Sequence, residues 1–142
     1  MTVKEIMTKN PVFCTPETNL KDVASLMCEH DCGEIPVLES RASMKPVGVI
    51  TDRDITCRTI AEGKNPLKMA AEQCMTKPCV TVTPEISLDE CVEVLETHKI
   101  RRILVVDDNG RCCGIVSQAD IAQSLSPEET GELVSEISRP GR

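Results

Sequence analysis

Two short segments of the sequence place a hydroxyl side chain three residues before a carboxylate. They read Gly48-Val49-Ile50-Thr51-x-x-Asp54 and Gly114-Ile115-Val116-Ser117-x-x-Asp120. In each segment an apolar run typical of a strand leads directly into residues that favour the start of a helix. Free backbone N–H groups at such a junction attract phosphate. The hydroxyl can donate to a phosphate oxygen, and the carboxylate can accept from two ribose hydroxyls. The pattern therefore predicts two nucleotide sites, with the alternative that Thr51 and Ser117 act only as helix caps.

Both segments belong to a longer internal repeat. Met7-Thr8-Lys9 returns as Met75-Thr76-Lys77, and Thr15-Pro16-Glu17 returns as Thr83-Pro84-Glu85. Both matches have an offset of 68 residues. A repeat of this length indicates two copies of one structural unit, since neither copy alone buries a large core. We expect a pseudo-symmetric pair in which a site occurs twice or lies between the copies.

Each copy has the order extended segment, helix, strand, strand, helix. Asn19 and Ser87 are predicted to cap the two longer helices, each of which carries an apolar stripe. The expected fold class is α+β, with short strands covered by helices on one face. The predicted domains are repeat 1 with its linker at 1–65, repeat 2 at 66–125, and a C-terminal helix and tail at 126–142.

Composition excludes several function classes. The net charge of −7 disfavours a protein that binds nucleic acid by neutralising phosphates, and a chain with one Phe and no Trp or Tyr lacks a base-stacking platform. No apolar run is long enough to span a membrane and no signal peptide is recognisable, so a cytoplasmic location is predicted. The nine cysteines are an odd number, which argues against a secreted disulfide framework.

Taken together, these motifs resemble a tandem pair of cystathionine β-synthase (CBS) domains, a Bateman module. The matching residues are Ile35-Pro36-Val37 followed by Gly48 to Ile55, and Arg101 to Asp107 followed by Gly114 to Ile121. The sequences of these motifs most resemble those of stand-alone two-repeat bacterial CBS proteins, including the hypoxic-response type. The resemblance implies two β-α-β-β-α repeats packed as a pseudo-twofold pair with clefts between them.

The resemblance also implies a function. Such modules are regulatory and not enzymes, and they bind AMP, ADP, ATP, NAD or S-adenosylmethionine without an obligatory cofactor. It further implies a homodimer and a regulated target protein that the sequence does not name. The ligand-binding residues that it implies comprise ribose carboxylates, phosphate-contacting hydroxyls and cations, and an adenine clamp: Asp54, Asp120, Thr51, Ser117, Arg101, Arg102, Phe13, Ile35, Pro36, Thr81, Ile103 and Leu104.

The two copies differ in charge near these motifs. The first has Gly33-Glu34 where the second has Arg101-Arg102. A carboxylate repels phosphate, whereas an arginine pairs with it. We therefore expect unequal sites, with the stronger phosphate binding in the second copy.

A second cluster, Cys28-x-His30-x-Cys32, contains residue types that bind zinc. It leaves open an alternative function as a cysteine-based redox or metal-responsive interaction protein with vestigial nucleotide clefts. Small core residues and a surface histidine are the plainer interpretation, so no metal site is predicted with these residues. The sequence shows no pattern typical of a catalytic nucleophile and its base.

Overall fold

The computed structural model describes residues 1–124 and 127–138. Helices and strands follow the predicted order, and the α+β fold class is confirmed. Their bounds are α1 Val3–Ile6, β1 Thr8–Lys9, α2 Leu20–Glu29, β2 Glu34–Leu38, β3 Pro46–Thr51, α3 Asp52–Arg58, β4 Thr81–Val82, α4 Leu88–His98, β5 Arg102–Val106, β6 Cys112–Ser117, α5 Gln118–Ala122 and α6 Pro127–Ile137.

The first compact unit contains Pro11–Cys79 and Gly110–Cys112. Its centre is the antiparallel pair β2–β3, in which Ile35 faces Ile50 across the ladder. One residue extends the pair on each side. Cys14 forms a parallel bridge with Val37 of β2, and Thr76 forms an antiparallel bridge with Val49 of β3. Buried side chains from α2 and both strands form its core, together with Met69, Ala71 and Cys74.

The second compact unit contains Met1–Asn10, Val80–Asn109 and the described chain from residue 113 on. Four strands form its sheet in the order β1-β6-β5-β4. The pair β1–β6 is antiparallel and the pair β4–β5 is parallel. Its core combines α4 and the sheet with Ile121 of α5 and with Leu133 and Ile137 of α6.

The compact units and the sequence repeats divide the chain differently. The lead-in of the first repeat, α1 and β1, lies in the second unit, whereas residues 71–76 lie in the first unit. A repeat boundary follows sequence similarity and a compact unit follows packing, so the boundaries at 65 and 125 stay a prediction.

Local signals position the longer helices as the sequence indicates. The Asn19 side chain accepts a hydrogen bond from the backbone of Asp22 at 3.0 Å, and Ser87 accepts one from Glu90 at 3.1 Å. Each cap satisfies one of the free N–H groups of its helix. The buried positions of α2 are Leu20, Val23 and Met27, and those of α4 are Leu88, Cys91 and Leu95.

Some segments differ from the prediction. The repeat predicts a second copy of α1 at 71–75, but residues 71–73 form a 3₁₀ turn. It also predicts an extended segment at 12–14, of which only Cys14 pairs with β2. Within the predicted C-terminal segment 126–142, the helix begins at Pro127, and residues 126 and 139–142 lie outside the described residues. In the described chain, every helix is too short or too polar to span a bilayer.

Candidate functional site

The two hydroxyl and carboxylate pairs lie at strand-to-helix junctions, as the sequence predicts. Thr51 Oγ1 accepts from the backbone N–H of Asp54 at 3.0 Å, and the Thr51 N–H donates to Asp54 Oδ2 at 3.0 Å. The Ser117–Asp120 pair repeats this exchange at 3.1 and 2.9 Å. Both hydroxyls are therefore helix caps. An accepting hydroxyl still carries a proton that it can donate, so capping and ligand contact are compatible.

The helices that follow these junctions are short. Helix α3 has seven residues and α5 has five. The capping exchange already uses one N–H group of the first turn in each, so little of the anion attraction comes from the helix itself. The attraction of either junction for an anion would therefore depend mainly on nearby charged side chains.

The surroundings of the two carboxylates differ. Asp54 also lies beside Thr76, whose Oγ1 is 3.3 Å from Asp54 Oδ2, and beside Arg58, whose Nη2 is 3.8 Å from Asp54 Oδ1. Asp120 has no corresponding side-chain partner within residues 1–124 and 127–138. Its carboxylate consequently keeps more acceptor capacity for a ligand.

A backbone hydrogen bond ties each junction to the start of the neighbouring strand. The N–H of Asp52 donates to the carbonyl of Gly33 at 3.0 Å, and the N–H of Gln118 donates to that of Arg101 at 2.7 Å. The same backbone contact thus places Gly33 and Arg101 at equivalent positions, as the sequence alignment of the copies expects.

The charge around these equivalent positions differs between the two units. The second unit brings Arg101 and Arg102 next to the Ser117 junction, with neutral Gln118 as the first helical residue. In the first unit that residue is Asp52, and a Cβ built on Gly33 would lie 3.0 Å from its Oδ2. Sequence reasoning missed the difference between Asp52 and Gln118, although the repeat alignment contains it.

The residues expected to clamp adenine occupy several environments. Ile35 and Ile103 are enclosed in the two hydrophobic cores, so their side chains are not available to a ligand. Leu104 is buried on the opposite face of β5 from Ile103, paired in register with Thr81. Pro36 occupies the corresponding face of β2.

Phe13 also has a neighbour that the sequence does not indicate. The guanidinium of Arg41 lies over its ring, 5.3 Å from the ring centre. A cation in this position is attracted by the aromatic face. Any base that stacks on Phe13 therefore competes with Arg41 for that face.

Gly48 and Gly114 have no side chain because a neighbouring backbone segment occupies the space. A Cβ at Gly48 would lie 2.9 Å from the carbonyl oxygen of Thr76, and a Cβ at Gly114 would lie 3.1 Å from that of Thr8. A glycine in a strand makes room for a ligand or for a neighbouring backbone. Within each unit the chain itself, at Thr8 and Thr76, takes this space.

None of the nine cysteines, all of which lie in the described part of the chain, forms a disulfide. Burial raises the pKa of Cys14 to about 12 and the pKa of Cys91 to about 11, as for small core residues. Within residues 1–124 and 127–138, no three His, Cys, Asp or Glu side chains come together as a metal group. The candidates Cys28 and His30 are exposed and Cys32 is half-buried.

Comparison with known proteins places this geometry in a family. The family model described as "CBS domain" matches residues 3–58 and 71–127. The CBS domain-containing protein YhcV of Bacillus subtilis is 36% identical over 137 residues, which cover 96% of this chain and 94% of YhcV. Hypoxic response protein 1 of Mycobacterium tuberculosis is 30% identical, covering 98% of this chain and 95% of that protein. The uncharacterized protein MK0525 of Methanopyrus kandleri is 32% identical, and the matched region spans only 62% of its length.

Solved structures of similar proteins contain different ligands. The crystal structure of Hypoxic Response Protein I with two coordinated zinc ions has a TM-score of 0.79 and 31% identity, covering 89% of this chain and 100% of that one. CBSX2 in complex with AMP has a TM-score of 0.74 and 25% identity, covering 87% and 94%. The CBS domain pair of protein MJ0100, in complex with 5-methylthioadenosine and S-adenosyl-L-methionine, has a TM-score of 0.76 and 27% identity, covering 87% and 94%.

The family match covers both copies of the hydroxyl and carboxylate junction and most of the chain. The duplicated order of elements and the similar solved structures agree with it. The chain therefore belongs to the CBS domain family and contains two CBS domains in tandem.

Proposed function

We propose that this CBS pair is a regulatory, non-catalytic module whose principal site for an adenosine-containing ligand is the Ser117–Asp120 junction. Thr51 and Asp54 form a weaker second site. The observation that carries the proposal is that Arg101 and Arg102 come from the strand start whose backbone bonds to the Ser117–Asp120 junction, where the Asp120 carboxylate has spare acceptor capacity. A phosphate and a ribose are the two groups that such an arrangement recognises.

Relatives support the adenosine part of the ligand. CBSX2 is known in complex with AMP, and the MJ0100 pair in complex with 5-methylthioadenosine and S-adenosyl-L-methionine. These molecules share an adenosine with two vicinal ribose hydroxyls, and a carboxylate such as that of Asp120 can accept from both. The shared chemistry makes AMP, ADP, ATP, NAD and S-adenosylmethionine the ligands to test.

Charge discriminates among these ligands. The phosphates of AMP, ADP, ATP and NAD are anionic, so Arg101 and Arg102 favour them at the second unit. S-adenosylmethionine has a sulfonium cation and no phosphate, so the same arginines disfavour it there. The junction of the first unit, with Glu34 and Asp52, has the reverse preference.

Calorimetry with matched variants tests the proposal. The Asp120→Asn variant keeps an oxygen that can accept from the Ser117 N–H but loses the charge that binds ribose. Hydrogen bonds to a charged group contribute about 1.5–3 kcal/mol, so AMP affinity should fall by about 10- to 100-fold. The matched control, Asp54→Asn, should reduce it by less than about threefold.

A charge exchange tests the role of the arginines separately. The Arg101→Gly/Arg102→Glu variant gives the second unit the residues of the first, and it should weaken AMP binding and remove its dependence on salt. The proposal is wrong if no adenosine ligand binds more tightly than about 1 mM, or if Asp54→Asn loses as much affinity as Asp120→Asn.

The regulatory mechanism is a population shift. A ligand that binds one conformation of the pair more tightly favours that conformation, and a target protein recognises the surface that results. Target protein and module meet in the cytoplasm, where a reducing environment keeps the nine thiols free. The working state is a homodimer, which sedimentation with and without AMP would test.

The alternative function, a redox or metal-responsive interaction protein, has one specific observation in its favour. The similar Hypoxic Response Protein I is known with two coordinated zinc ions. Against the redox form of this function, burial is the main cause that raises the pKa of Cys79 to about 11, which makes its thiol less reactive. Metal analysis of protein purified without chelator separates the two, because stoichiometric zinc would favour the alternative.

A further inference from the structure

The turn between β5 and β6 places an asparagine directly before a glycine. Asn109 and Gly110 lie in this turn, and Asn109 is exposed. The Asp107 carboxylate accepts from the N–H of Asn109 at 2.9 Å, so this bond of the turn uses the backbone of Asn109 and not its side chain. Gly110 has a φ of 77°, and a Cβ built on it would meet no atom of the described residues within 4 Å. The asparagine and the backbone that follows it are therefore accessible to chemical change.

The side-chain amide of an asparagine can react with the backbone of the next residue. The nitrogen of Gly110 attacks Cγ of Asn109, the N–Cγ bond forms, and the side-chain nitrogen leaves as ammonia with the proton of the Gly110 N–H. Water then opens the succinimide ring. Opening at the side-chain carbonyl gives aspartate, and opening at the backbone carbonyl gives isoaspartate. Because glycine has no Cβ, its nitrogen is the least hindered for this attack.

Two of the other three asparagines cannot form this ring. Asn10 precedes Pro11, and Asn65 precedes Pro66. A proline nitrogen is bonded to its own ring and has no proton to lose. Both positions are therefore protected by the residue that follows them, in contrast to Asn109.

The remaining asparagine, Asn19, is held in place at the start of α2. Its side-chain oxygen accepts from the N–H of Asp22 at 3.0 Å, which fixes the amide as a helix cap. The nitrogen that would have to attack belongs to Leu20, and its N–H donates to the carbonyl of Met69 at 2.9 Å. Both reacting groups of this pair are thus already used in the native fold.

The residues that follow the reactive turn are anchored to residues 42–44 of the first unit. Arg111 Nη1 donates to the carbonyls of Ala42 and Ser43. The N–H of Cys112 donates to the carbonyl of Met44 at 2.8 Å. An isoaspartate at position 109 adds one carbon atom to the backbone just before these bonds. The spacing between β5 and the anchored residues then no longer matches.

We propose that Asn109 is a site of spontaneous deamidation in the native protein, and that its isoaspartate product loosens the contact of residues 111 and 112 with residues 42–44. The product also adds a carboxylate beside Asp107 and Asp108, in a chain whose net charge is already −7. The modification accumulates with time and requires only water. It depends neither on the proposed ligand nor on a target protein.

Peptide mapping of the full native chain tests the site. The protein is incubated at neutral pH and digested briefly with trypsin, which cleaves after Arg102 and Arg111 and releases residues 103–111. We expect this peptide to gain the mass difference between an amide and an acid. Electron-transfer fragmentation should then show isoaspartate at position 109. Peptides that contain the other three asparagines should keep their mass.

Two variants separate the modification from its consequence. Asn109→Ser has no side-chain amide, so its peptide should keep its mass. Asn109→Asp has the new charge without the longer backbone. The isoaspartate fraction, isolated by chromatography, should therefore unfold at a urea concentration lower than that of Asn109→Asp by about 0.5 M or more, as followed by circular dichroism.

Two results would overturn the proposal. The first is an unchanged mass of residues 103–111 in the native protein after an incubation that modifies the urea-unfolded chain, since the folded turn would then protect Asn109. The second is an isoaspartate fraction with the same urea midpoint as Asn109→Asp, since the added backbone atom would then leave the contact with residues 42–44 intact.

Discussion

The close contacts of Gly48 with Met75 and Thr76, and of Gly114 with Met7 and Thr8, predict how much an added methyl group destabilises the fold. A Cβ at Gly48 would lie 2.9 Å from the Thr76 carbonyl oxygen and 3.0 Å from Met75 Sδ. The Thr76 backbone has little freedom to move away, because it exchanges two hydrogen bonds with Val49 at 2.9 and 2.8 Å. The Gly48→Ala substitution must therefore shift a strand or lose these bonds.

The size of the destabilisation depends on which atoms the new Cβ would contact. Overpacking of a well-packed site costs about 1–3 kcal/mol, and a rigid backbone neighbour puts Gly48→Ala near the upper end. At Gly114 the nearest atom is Met7 Sδ, the end of a flexible side chain that can turn aside, although Thr8 O is also close. Gly114→Ala should therefore cost only about 1 kcal/mol.

Urea denaturation followed by far-ultraviolet circular dichroism measures both changes, since the chain has no Trp or Tyr to report by fluorescence. With a denaturant slope of about 2 kcal/mol per molar, the midpoint should fall by about 1.5 M for Gly48→Ala and about 0.5 M for Gly114→Ala. Gly131→Ala is the matched control, because its Cβ meets nothing within 4 Å and lies in helix α6. It should raise stability by about 0.5–1 kcal/mol. The reasoning is refuted if Gly48→Ala keeps the wild-type midpoint, or if Gly131→Ala lowers it as much.

Two further predictions follow from ionisable groups. The pKa of Glu96 is raised by burial and neighbouring carboxylates, so ionising it destabilises the native state and this penalty appears as the pH rises above its ordinary value of 4.5. Glu96→Gln should therefore raise the urea midpoint at pH 7 but not at pH 4, whereas the exposed control Glu17→Gln should change neither. Disulfide-exchange labelling at pH 8 should modify exposed Cys28 and Cys57 within the native protein, and Cys14 and Cys91 only after unfolding. Rapid labelling of native Cys14, whose pKa is raised to about 12, would contradict the described burial.

Local sequence signals predicted much of the fold. The caps at Asn19 and Ser87, the two apolar stripes and the hydroxyl and carboxylate junctions depend on spacings of three or four residues, and the structure confirms each. Such features depend only on residues of the same helix or strand, so the local sequence is enough to predict them. The family follows from the same patterns because they occur twice in one order.

Features that depend on distant contacts were not predictable in the same way. Nothing within the sequence near Gly48 indicates that Thr76 lies against it, because 28 residues separate the two. The position of Arg41 over Phe13 and the packing of α6 on α4 and α5 are of the same kind. Sequence periodicity indicates that a helix has an apolar face, but only the fold identifies what covers that face.

The unequal charges, more than the unequal hydrogen bonds, should determine which junction binds ligand first. Asp54 must release Thr76 and Arg58 to accept a ribose, but these contacts are long and Arg58 is 43% exposed. An exposed pair of this kind contributes at most about 1 kcal/mol, which is less than tenfold in affinity. By the same measure each exposed charge contributes up to about 1 kcal/mol, but Gly33 and Glu34 differ from Arg101 and Arg102 by three unit charges, from −1 to +2. Arg101 and Arg102 in place of Gly33 and Glu34 therefore make the larger difference, so ranking the two sites requires the sign of the side chains around a shared backbone frame.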